Sequence, residues 1–248
     1  VIIDGVDIME MDEKALKKLR WSKFSLVTQS SMNSLNPVLK IKDQMADVLI
    51  KNHGYSKEQA FELVRKNLEL VGISPDRMES YPHQLSGGMR QRVVIAMALL
   101  LSPKVVFMDE PTTALDVVMQ RSILQKIEEL REKEKFSTVF ITHDISLLFE
   151  MATKIAIMYA GEIVELGIAK DVYLKPLHPY TKGLIEALPS ISRTLNEYKS
   201  IPGRPLDLSL KIKGCPFKER CSYAFDKCSV KKPELRNVDG RWVSCHLY

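Results

Sequence analysis

Short apolar segments alternate with an amphipathic one between residues 105 and 144, and this alternation restricts the fold more than any other feature of the chain. Val105 to Met108 is a continuous apolar run, which is typical of a buried parallel strand, and Thr138 to Thr142 is a second such run. Val117 to Lys135 lies between them and has the pattern of an amphipathic helix. Strand, helix and strand in this order favour a right-handed crossover and a mainly parallel sheet. The sequence therefore predicts an α/β fold.

The flanking segments extend this prediction in both directions. Helices are predicted over Asp12 to Leu19, Ile41 to Asn52, Lys57 to Val71, Gly87 to Leu101 and Ile145 to Met151, a strand over Phe24 to Gln29, and a hairpin over Ile155 to Leu166. After Gly167 prolines recur, and we expect a small irregular extension with one or two helices. We therefore predict a first domain at 1–167, with a helical subdomain at about 38–95, and a C-terminal extension at 168–248.

The first residues read as a strand, a turn at Asp4-Gly5 and a second strand, and the chain begins without a methionine. A chain that begins inside a hairpin exposes an unpaired edge, so we expect this sequence to be a fragment. A naturally short chain is the alternative.

Composition excludes several classes of function. Lysines and arginines are interspersed with acidic residues at a net charge of +5, which argues against a dedicated nucleic-acid surface. No apolar run reaches the roughly 20 residues that a membrane helix needs, and no signal peptide is visible. Any role at a membrane is therefore expected to depend on a partner.

Polar residues follow three of the predicted strands. Asp109 and Glu110 end one strand, His143 follows the next, and Gln29 ends the strand near the start. Ligands of open α/β sheets bind beyond the carboxyl ends of the strands, where these residues converge. Asp109 suits Mg²⁺, Glu110 can orient or deprotonate a water, and His143 can bind a terminal phosphate. Singly, each has a structural alternative, such as a turn before Pro111.

The segment LSGGMRQR, residues 85–92, has the pattern of a phosphate-binding helix start. Ser86 stands at an N-cap position, and Gly87 and Gly88 leave backbone N–H groups open to an anion. A glycine-rich cap without a ligand is the alternative. No glycine is followed by lysine anywhere in the chain, so the sequence contains no Gly-x-x-x-x-Gly-Lys-Ser/Thr phosphate loop.

These residues resemble the motifs of ABC transporter ATPases, in the order that the family has them. LSGGMRQR resembles the signature motif, Gln29 the Q-loop, VVFMDEP (105–111) the Walker B motif, TALD (113–116) the D-loop and ITHD (141–144) the H-loop. Three further segments resemble the ATPases of oligopeptide, dipeptide and nickel importers: QSSMNSLNP after residue 28, HPYTKGLIEALP (178–189) and CPFKERC (215–221). The resemblance covers essentially the whole chain.

The resemblance implies a P-loop NTPase-type ABC core that binds ATP and Mg²⁺. It implies that Glu110 is catalytic, that Asp109 and Gln29 serve Mg²⁺, and that His143 senses the γ-phosphate. In this family two ATPase domains meet head to tail. The resemblance therefore places four signature residues, Ser86, Gly87, Gly88 and Gln91, on the ATP of a partner ATPase, with Asp116 bridging the two halves. The Walker A segment is expected upstream of Val1.

Four cysteines, Cys215, Cys221, Cys228 and Cys245, follow a spacing of C-x5-C-x6-C-x16-C. The spacing fits neither common zinc fingers nor ferredoxins. A small proline-rich extension lacks a large core, which favours a structural metal site. The resemblance to peptide-importer ATPases favours a [4Fe–4S] cluster. Zinc, with His246 as a possible substitute ligand, and free or disulfide-paired cysteines are the alternatives.

The sequence as a whole predicts an ATP-hydrolysing subunit of an ABC importer for oligopeptides or dipeptides. The resemblance implies a second ABC ATPase subunit, identical or paralogous, transmembrane permease subunits and, indirectly, an extracytoplasmic solute-binding protein. It implies a peripheral location on the cytoplasmic face of the cell membrane. The alternatives are a soluble ABC ATPase outside transport and a non-catalytic regulatory ABC module, the latter because the chain as given lacks a Walker A loop.

Overall fold

A computed structural model of the protein describes residues 1–113, 115–188, 200–209 and 212–248. The chain divides into two compact units, Val1–His143 and Asp144–Tyr248. The predicted boundary between residues 167 and 168 remains a sequence-based division.

The first unit contains strands and helices in the predicted order. Its elements are β1 (Ile2–Ile3), β2 (Val6–Asp7), α1 (Glu13–Leu19), β3 (Phe24–Val27), α2 (Ile41–His53), α3 (Lys57–Leu70), α4 (Gly87–Leu99), β4 (Val105–Asp109), α5 (Val117–Glu134) and β5 (Ser137–Ile141). β1 and β2 form the predicted antiparallel hairpin. Its turn residues Asp4 and Gly5 both have positive φ, as a tight two-residue hairpin turn requires.

The parallel sheet of the first unit confirms the α/β prediction. Its strand order is β3–β4–β5, and both pairings are parallel. Val27, Val106 and Met108 are fully buried on one face of the sheet. Leu26 lies between two buried residues of β3 and is 55% exposed, and Ile141 at the end of β5 is 52% exposed. The carboxyl ends of the three strands therefore share one edge.

A helical layer precedes the β4 strand. Helix α3 begins with a capping box, in which Ser56 accepts from the Gln59 N–H and Gln59 accepts from the Ser56 N–H. The fully buried side chains of this layer include Met45 and Leu49 of α2 and Leu68 of α3. The second half of helix α4 is apolar nearly all round, and eight residues of the helix are buried.

The second unit has its own sheet and core. Its elements are α6 (Ile145–Met151), β6 (Lys154–Tyr159), β7 (Glu162–Ile168), α7 (Ala169–Leu174), α8 (Pro179–Glu186), α9 (Asp226–Val230), β8 (Arg236–Val238) and β9 (Arg241–Val243). The predicted hairpin is β6–β7, and the sheet order is β6–β7–β9–β8. Sequence analysis missed β8 and β9, because each has only three residues and lacks a clear apolar alternation.

Within the described residues, no helix has both the length and the apolar character needed to cross a lipid bilayer.

Candidate functional site

The first unit brings the predicted strand-end residues together around Glu110. Gln29 lies two residues beyond β3, Glu110 directly after β4 and His143 two residues beyond β5. Gln29 Nε2 donates to Glu110 Oε2 at 2.8 Å. His143 Nδ1 lies 2.9 Å from Glu110 Oε1, where it donates in its Nδ1-protonated form. The convergence that parallel strand ends predict is therefore seen in the side-chain geometry.

A third donor, which sequence analysis did not assign, completes this arrangement. The Thr113 hydroxyl donates to Glu110 Oε2 at 3.0 Å. We call Glu110 and its three side-chain partners, Gln29, Thr113 and His143, the Glu110 cluster. Thr113 lies in the turn after β4, and only a three-dimensional turn brings its hydroxyl to the carboxylate. The sequence signal that could have found it is a hydroxyl residue three positions after a strand-end acid.

The backbone at Glu110 directs its carboxylate toward these donors. Glu110 has a φ of 45°, in the left-handed region that side-chain-bearing residues rarely adopt. Its N–H donates to the Ile141 carbonyl at 2.9 Å, and its carbonyl accepts from the Thr113 N–H at 3.2 Å. The turn is therefore held at both ends, by β5 on one side and by Thr113 on the other.

The Glu110 cluster favours an ionised carboxylate. Hydrogen bonds from His143 and then from Thr113 lower the pKa of Glu110 the most. Burial opposes them with a smaller effect, and the hydrogen bond from Gln29 lowers the pKa further. The Glu110 side chain is 20% exposed and that of His143 is 74% exposed. The cluster is thus open to a ligand and holds a charged acceptor.

The residues predicted to bind Mg²⁺ carry oxygen atoms that can serve as its ligands. Asp109 is the last residue of β4 and supplies a carboxylate beside Glu110. Gln29 uses its amide nitrogen on Glu110, which leaves the amide oxygen as its remaining acceptor. Mg²⁺ prefers oxygen ligands and takes one or two from protein and the rest from phosphate and water. Asp109 and Gln29 therefore fit a nucleotide-bound magnesium ion.

The signature segment forms the start of α4. Ser86 is its N-cap, and the Ser86 side chain accepts from the Met89 N–H at 3.3 Å. A Cβ added to Gly88 would lie 2.0 Å from Met119 Cε, whereas one added to Gly87 would meet Leu115 at an ordinary 3.6 Å. A side chain at Gly88 would therefore require the flexible end of Met119 to move, whereas Gly87 stands at a roomier position of the same turn.

Two other predicted nucleotide-binding residues have well-defined surroundings. Asp116 is the N-cap of α5 and accepts from the Met119 N–H at 2.9 Å. Gln91 is 2% exposed, and its Nε2 has no hydrogen-bond partner within the part of the chain that the structure describes. Ala114 of the predicted D-loop and Pro189 of the predicted C-terminal motif lie outside the described residues.

The prediction of an iron–sulfur cluster, and of metal binding at the cysteines, is wrong. No group of three or more His, Cys, Asp or Glu side chains within the described ranges is arranged to hold a metal ion. Cys215, Cys221, Cys228 and Cys245 are free thiols. Burial raises the pKa of Cys215, Cys221 and Cys245. These partly buried surroundings favour the protonated thiol over the thiolate.

The second unit contains a buried polar pair at the start of α8. Glu165 is fully buried, and its carboxylate accepts from the Leu177 and His178 N–H groups, each at 2.9 Å. His178 is the N-cap of α8 through Nδ1, which accepts from the Tyr180 N–H. Burial lowers the pKa of His178 to about 4, so its imidazole is neutral at neutral pH. The predicted HPY segment therefore has a structural function in this unit.

Solved structures of ABC transporter cassettes are similar to this chain. Two dimeric structures of the bacterial ABC transporter cassette MJ0796 are similar to this chain. One matches with a TM-score of 0.59 at 30% identity, covering 67% of this chain and 72% of that chain. The other, a post-hydrolysis state bound to ADP and Pi, matches with a TM-score of 0.58 at 29% identity and the same coverage. The fold is that of an ABC ATPase cassette.

Family models and curated relatives narrow this class. The ABC transporter model matches residues 1–113, and the model of the oligopeptide/dipeptide transporter C-terminal region matches residues 164–228. The dipeptide transport ATP-binding protein DppD of Caldanaerobacter subterraneus subsp. tengcongensis is 41% identical over 100% of this chain and 77% of its own length. The oligopeptide transport ATP-binding protein OppD of Bacillus subtilis is 44% identical over 100% of this chain and 70% of its own length.

OppD of Salmonella typhimurium is 41% identical over 98% of this chain and 73% of its own length. The chain therefore belongs to the ATP-binding proteins of the oligopeptide/dipeptide ABC transporter family. Neither predicted alternative, a non-transport ABC ATPase or a regulatory module, is favoured by these relatives.

Proposed function

We propose that this chain is the ATP-hydrolysing subunit that energises an ABC importer for oligopeptides or dipeptides. The observation that carries the proposal is the Glu110 cluster, an ionised carboxylate at the carboxyl edge of a parallel sheet. Relatives at about 40% identity named as dipeptide or oligopeptide transport ATP-binding proteins support the substrate class.

Glu110 is the residue that activates water in this proposal. Its ionised carboxylate accepts a proton from a water as the water oxygen attacks the γ-phosphorus of ATP. The bond between the γ-phosphorus and the β–γ bridging oxygen breaks, and ADP leaves with the bridging electrons. Because phosphoryl transfer depends mainly on positioning and charge stabilisation, an acceptor held by three donors suits this step.

Asp109, Gln29 and His143 orient the phosphates in this proposal. A bound Mg²⁺ would neutralise developing charge on the phosphate oxygens. Asp109 would hold it with a carboxylate oxygen and Gln29 with its amide oxygen. The exposed imidazole of His143 lies beside Glu110, where it can sense the terminal phosphate.

The signature segment serves a second ABC ATPase subunit in this proposal. The open N–H groups of α4 form an anion site, and Ser86, Gly87 and Gly88 present it to the γ-phosphate held by the partner. Gln91 supports this turn from within the first unit, and Asp116 bridges the two cassettes. The similar cassettes form dimers, which supports such pairing.

The membrane partners follow from the same proposal. ATP-driven closure of two cassettes would act on transmembrane permease subunits, with an extracytoplasmic solute-binding protein delivering the peptide. This chain would then lie at the cytoplasmic face of the membrane as a peripheral subunit, with residues 38–95 as the helical subdomain that meets the permease.

Substitution Glu110→Gln tests the proposed function in the assembled transporter. The amide keeps the shape of the side chain but cannot accept the proton, so we expect ATP turnover to fall at least about 100-fold. ATP binding should persist, because Glu110 contributes no ligand to the nucleotide in the ground state. Glu132→Gln, on the exposed face of α5, makes the same chemical change away from the site and should leave turnover unchanged. Near-normal turnover in Glu110→Gln would reject the proposal.

A further inference from the structure

We infer that Thr113 is a positioning residue that holds the carboxylate of Glu110 for hydrolysis, through its hydroxyl. This inference rests on the proposed function and goes beyond it, because it gives a role in hydrolysis to Thr113, the first residue of the D-loop motif, in which the resemblance assigned a role only to Asp116. The geometry carries the inference: the Thr113 hydroxyl is 3.0 Å from Glu110 Oε2.

The three donors of the Glu110 cluster differ in whether they would also contact a bound nucleotide. Under the proposed function, the Gln29 amide is shared between Glu110 and Mg²⁺, and the His143 imidazole turns to the γ-phosphate. Both contacts with Glu110 then weaken when the nucleotide binds. Thr113 is the donor to which the proposed function assigns no ligand. Its hydroxyl can therefore keep its hydrogen bond when the other two donors are drawn away.

The backbone strengthens this assignment. The Thr113 N–H donates to the Glu110 carbonyl at 3.2 Å, so one residue holds both the main chain and the side chain of the other. Glu110 has a φ of 45°, and a residue in that region depends on its surroundings to stay there. Loss of the hydroxyl would leave the turn closed by the N–H but would free the carboxylate to change rotamer.

The test compares Thr113→Val with Thr113→Ser in the full-length protein assembled with its partners. Valine matches the shape of threonine and removes the hydroxyl, whereas serine keeps the hydroxyl. We expect kcat to fall about tenfold in the valine variant, with KM for ATP within about twofold of wild type, because only the acceptor of the attacking water is misplaced. Serine should keep kcat within about threefold of wild type.

A matched control makes the same change at a hydroxyl without a function in the site. Thr138 lies in β5, and its Oγ1 is buried without a hydrogen-bond partner among the described residues. Thr138→Val should leave both kcat and KM unchanged. If Thr113→Val does not fold, as judged by thermal unfolding, Thr113→Ala takes its place.

A double substitution separates positioning from a general structural effect. Because Thr113 acts through Glu110, Thr113→Val should add nothing to Glu110→Gln, so the double variant should turn over as slowly as Glu110→Gln alone. Multiplied losses would overturn the inference, and so would a normal kcat or a raised KM alone in Thr113→Val. Failure of the proposed function is distinguishable, since then Glu110→Gln itself would keep its turnover.

Discussion

Glu110 is placed by a backbone conformation that is unfavourable in isolation. A left-handed φ costs roughly 1–2 kcal/mol for a residue with a side chain. The hydrogen bonds from the Glu110 N–H to Ile141 and from Thr113 to the Glu110 carbonyl offset this cost and fix the turn. The strained residue is thus also the one that carries the proposed chemistry, as strained backbone at functional sites often does.

His178 makes the stability of the second unit depend on pH. Burial lowers the pKa of His178 from 6.5 to about 4, so the folded protein keeps the imidazole unprotonated. Its contribution to stability is complete above pH 6.5 and is lost as the pH falls from 6.5 toward 4, because the unfolded chain then takes up a proton that the folded one excludes. A shift of this size corresponds to about 3 kcal/mol.

Urea unfolding between pH 7.5 and 4.5 measures this dependence. Trp242 of β9 is the probe, in a Trp21→Phe background that removes the second tryptophan of the chain. His178→Asn keeps a short acceptor at the N-cap but does not titrate, so we expect its loss of stability with acid to be smaller than that of wild type. Equal slopes in the two proteins would contradict the assigned burial effect.

At this scale the sequence predicts which residues converge but not how they are oriented. Gln29, Glu110 and His143 follow parallel strands, and the rule for strand ends is enough to bring them together. Thr113 could not be predicted in the same way, because its contact depends on the φ of Glu110. The buried neutral state of His178 likewise depends on packing that no local pattern specifies.

The segment between Gly214 and α9 depends on one close backbone approach. Gly214 has a φ of 74°, and an added Cβ would lie 2.2 Å from the carbonyl oxygen of Cys228. Because the contacted atom belongs to the backbone, the segment cannot yield as a flexible side chain would. Gly240, in the β8–β9 turn, has a φ of 80° but no atom within 4 Å of an added Cβ.

Alanine at these two glycines should therefore differ in effect. Gly240→Ala introduces only backbone strain, and we expect a loss of about 1 kcal/mol. Gly214→Ala adds a steric clash to the same strain, and we expect a loss of more than about 3 kcal/mol. Urea unfolding at pH 7.5, again followed through Trp242, measures both losses. Equal losses would show that the approach to Cys228 is not a tight constraint.

Elements were predictable where a long periodic pattern or a cap marks them. Helix α3 follows its capping box, and α5 follows the amphipathic pattern after the Asp116 N-cap. The strands β8 and β9 are too short to show a sequence pattern, and they form because β9 pairs with β7 and β8 pairs with β9. The prediction of a metal site at the four cysteines was wrong because their spacing carries no information about thiol protonation or side-chain direction.

At the scale of the whole molecule, the site is divided between two chains in the proposed function. Glu110 acts on the nucleotide of its own cassette, whereas the signature turn acts on that of the partner. Gly87→Asp puts a negative charge where the phosphate would bind, and the 3.6 Å spacing to Leu115 leaves room for a side chain. This variant and Glu110→Gln should each be inactive alone, because each disables both sites of a symmetric dimer.

Mixing the two inactive variants tests this division. If a second copy of the chain is the partner, a mixed dimer has one intact site, and random pairing should restore about a quarter of wild-type turnover. Two preparations of the same variant, mixed identically, provide the control. Absence of any recovery would show that two copies of this chain do not share their sites, and would point to a different ABC subunit as the partner.

The fold class and family were predictable at this scale because the motifs are ordered along a parallel sheet. Gln29, the signature turn, Asp109-Glu110 and His143 are local patterns, and their order over more than 100 residues matches one family. The division into units 1–143 and 144–248 follows from tertiary contacts, which the sequence pattern does not contain.

The Glu110 cluster also has a consequence for biosynthesis. Gln29 and Glu110 are 81 residues apart, and His143 follows Glu110 by a further 33. A chain emerging from the ribosome at roughly 5–20 residues per second makes His143 about 2–7 s after Glu110. During that interval the carboxylate lacks one of its donors, and β4 lacks the neighbouring strand whose Ile141 carbonyl holds the turn. Hydrolytic competence is therefore acquired only after β5 and His143 have been synthesised and the strands that carry the site have paired.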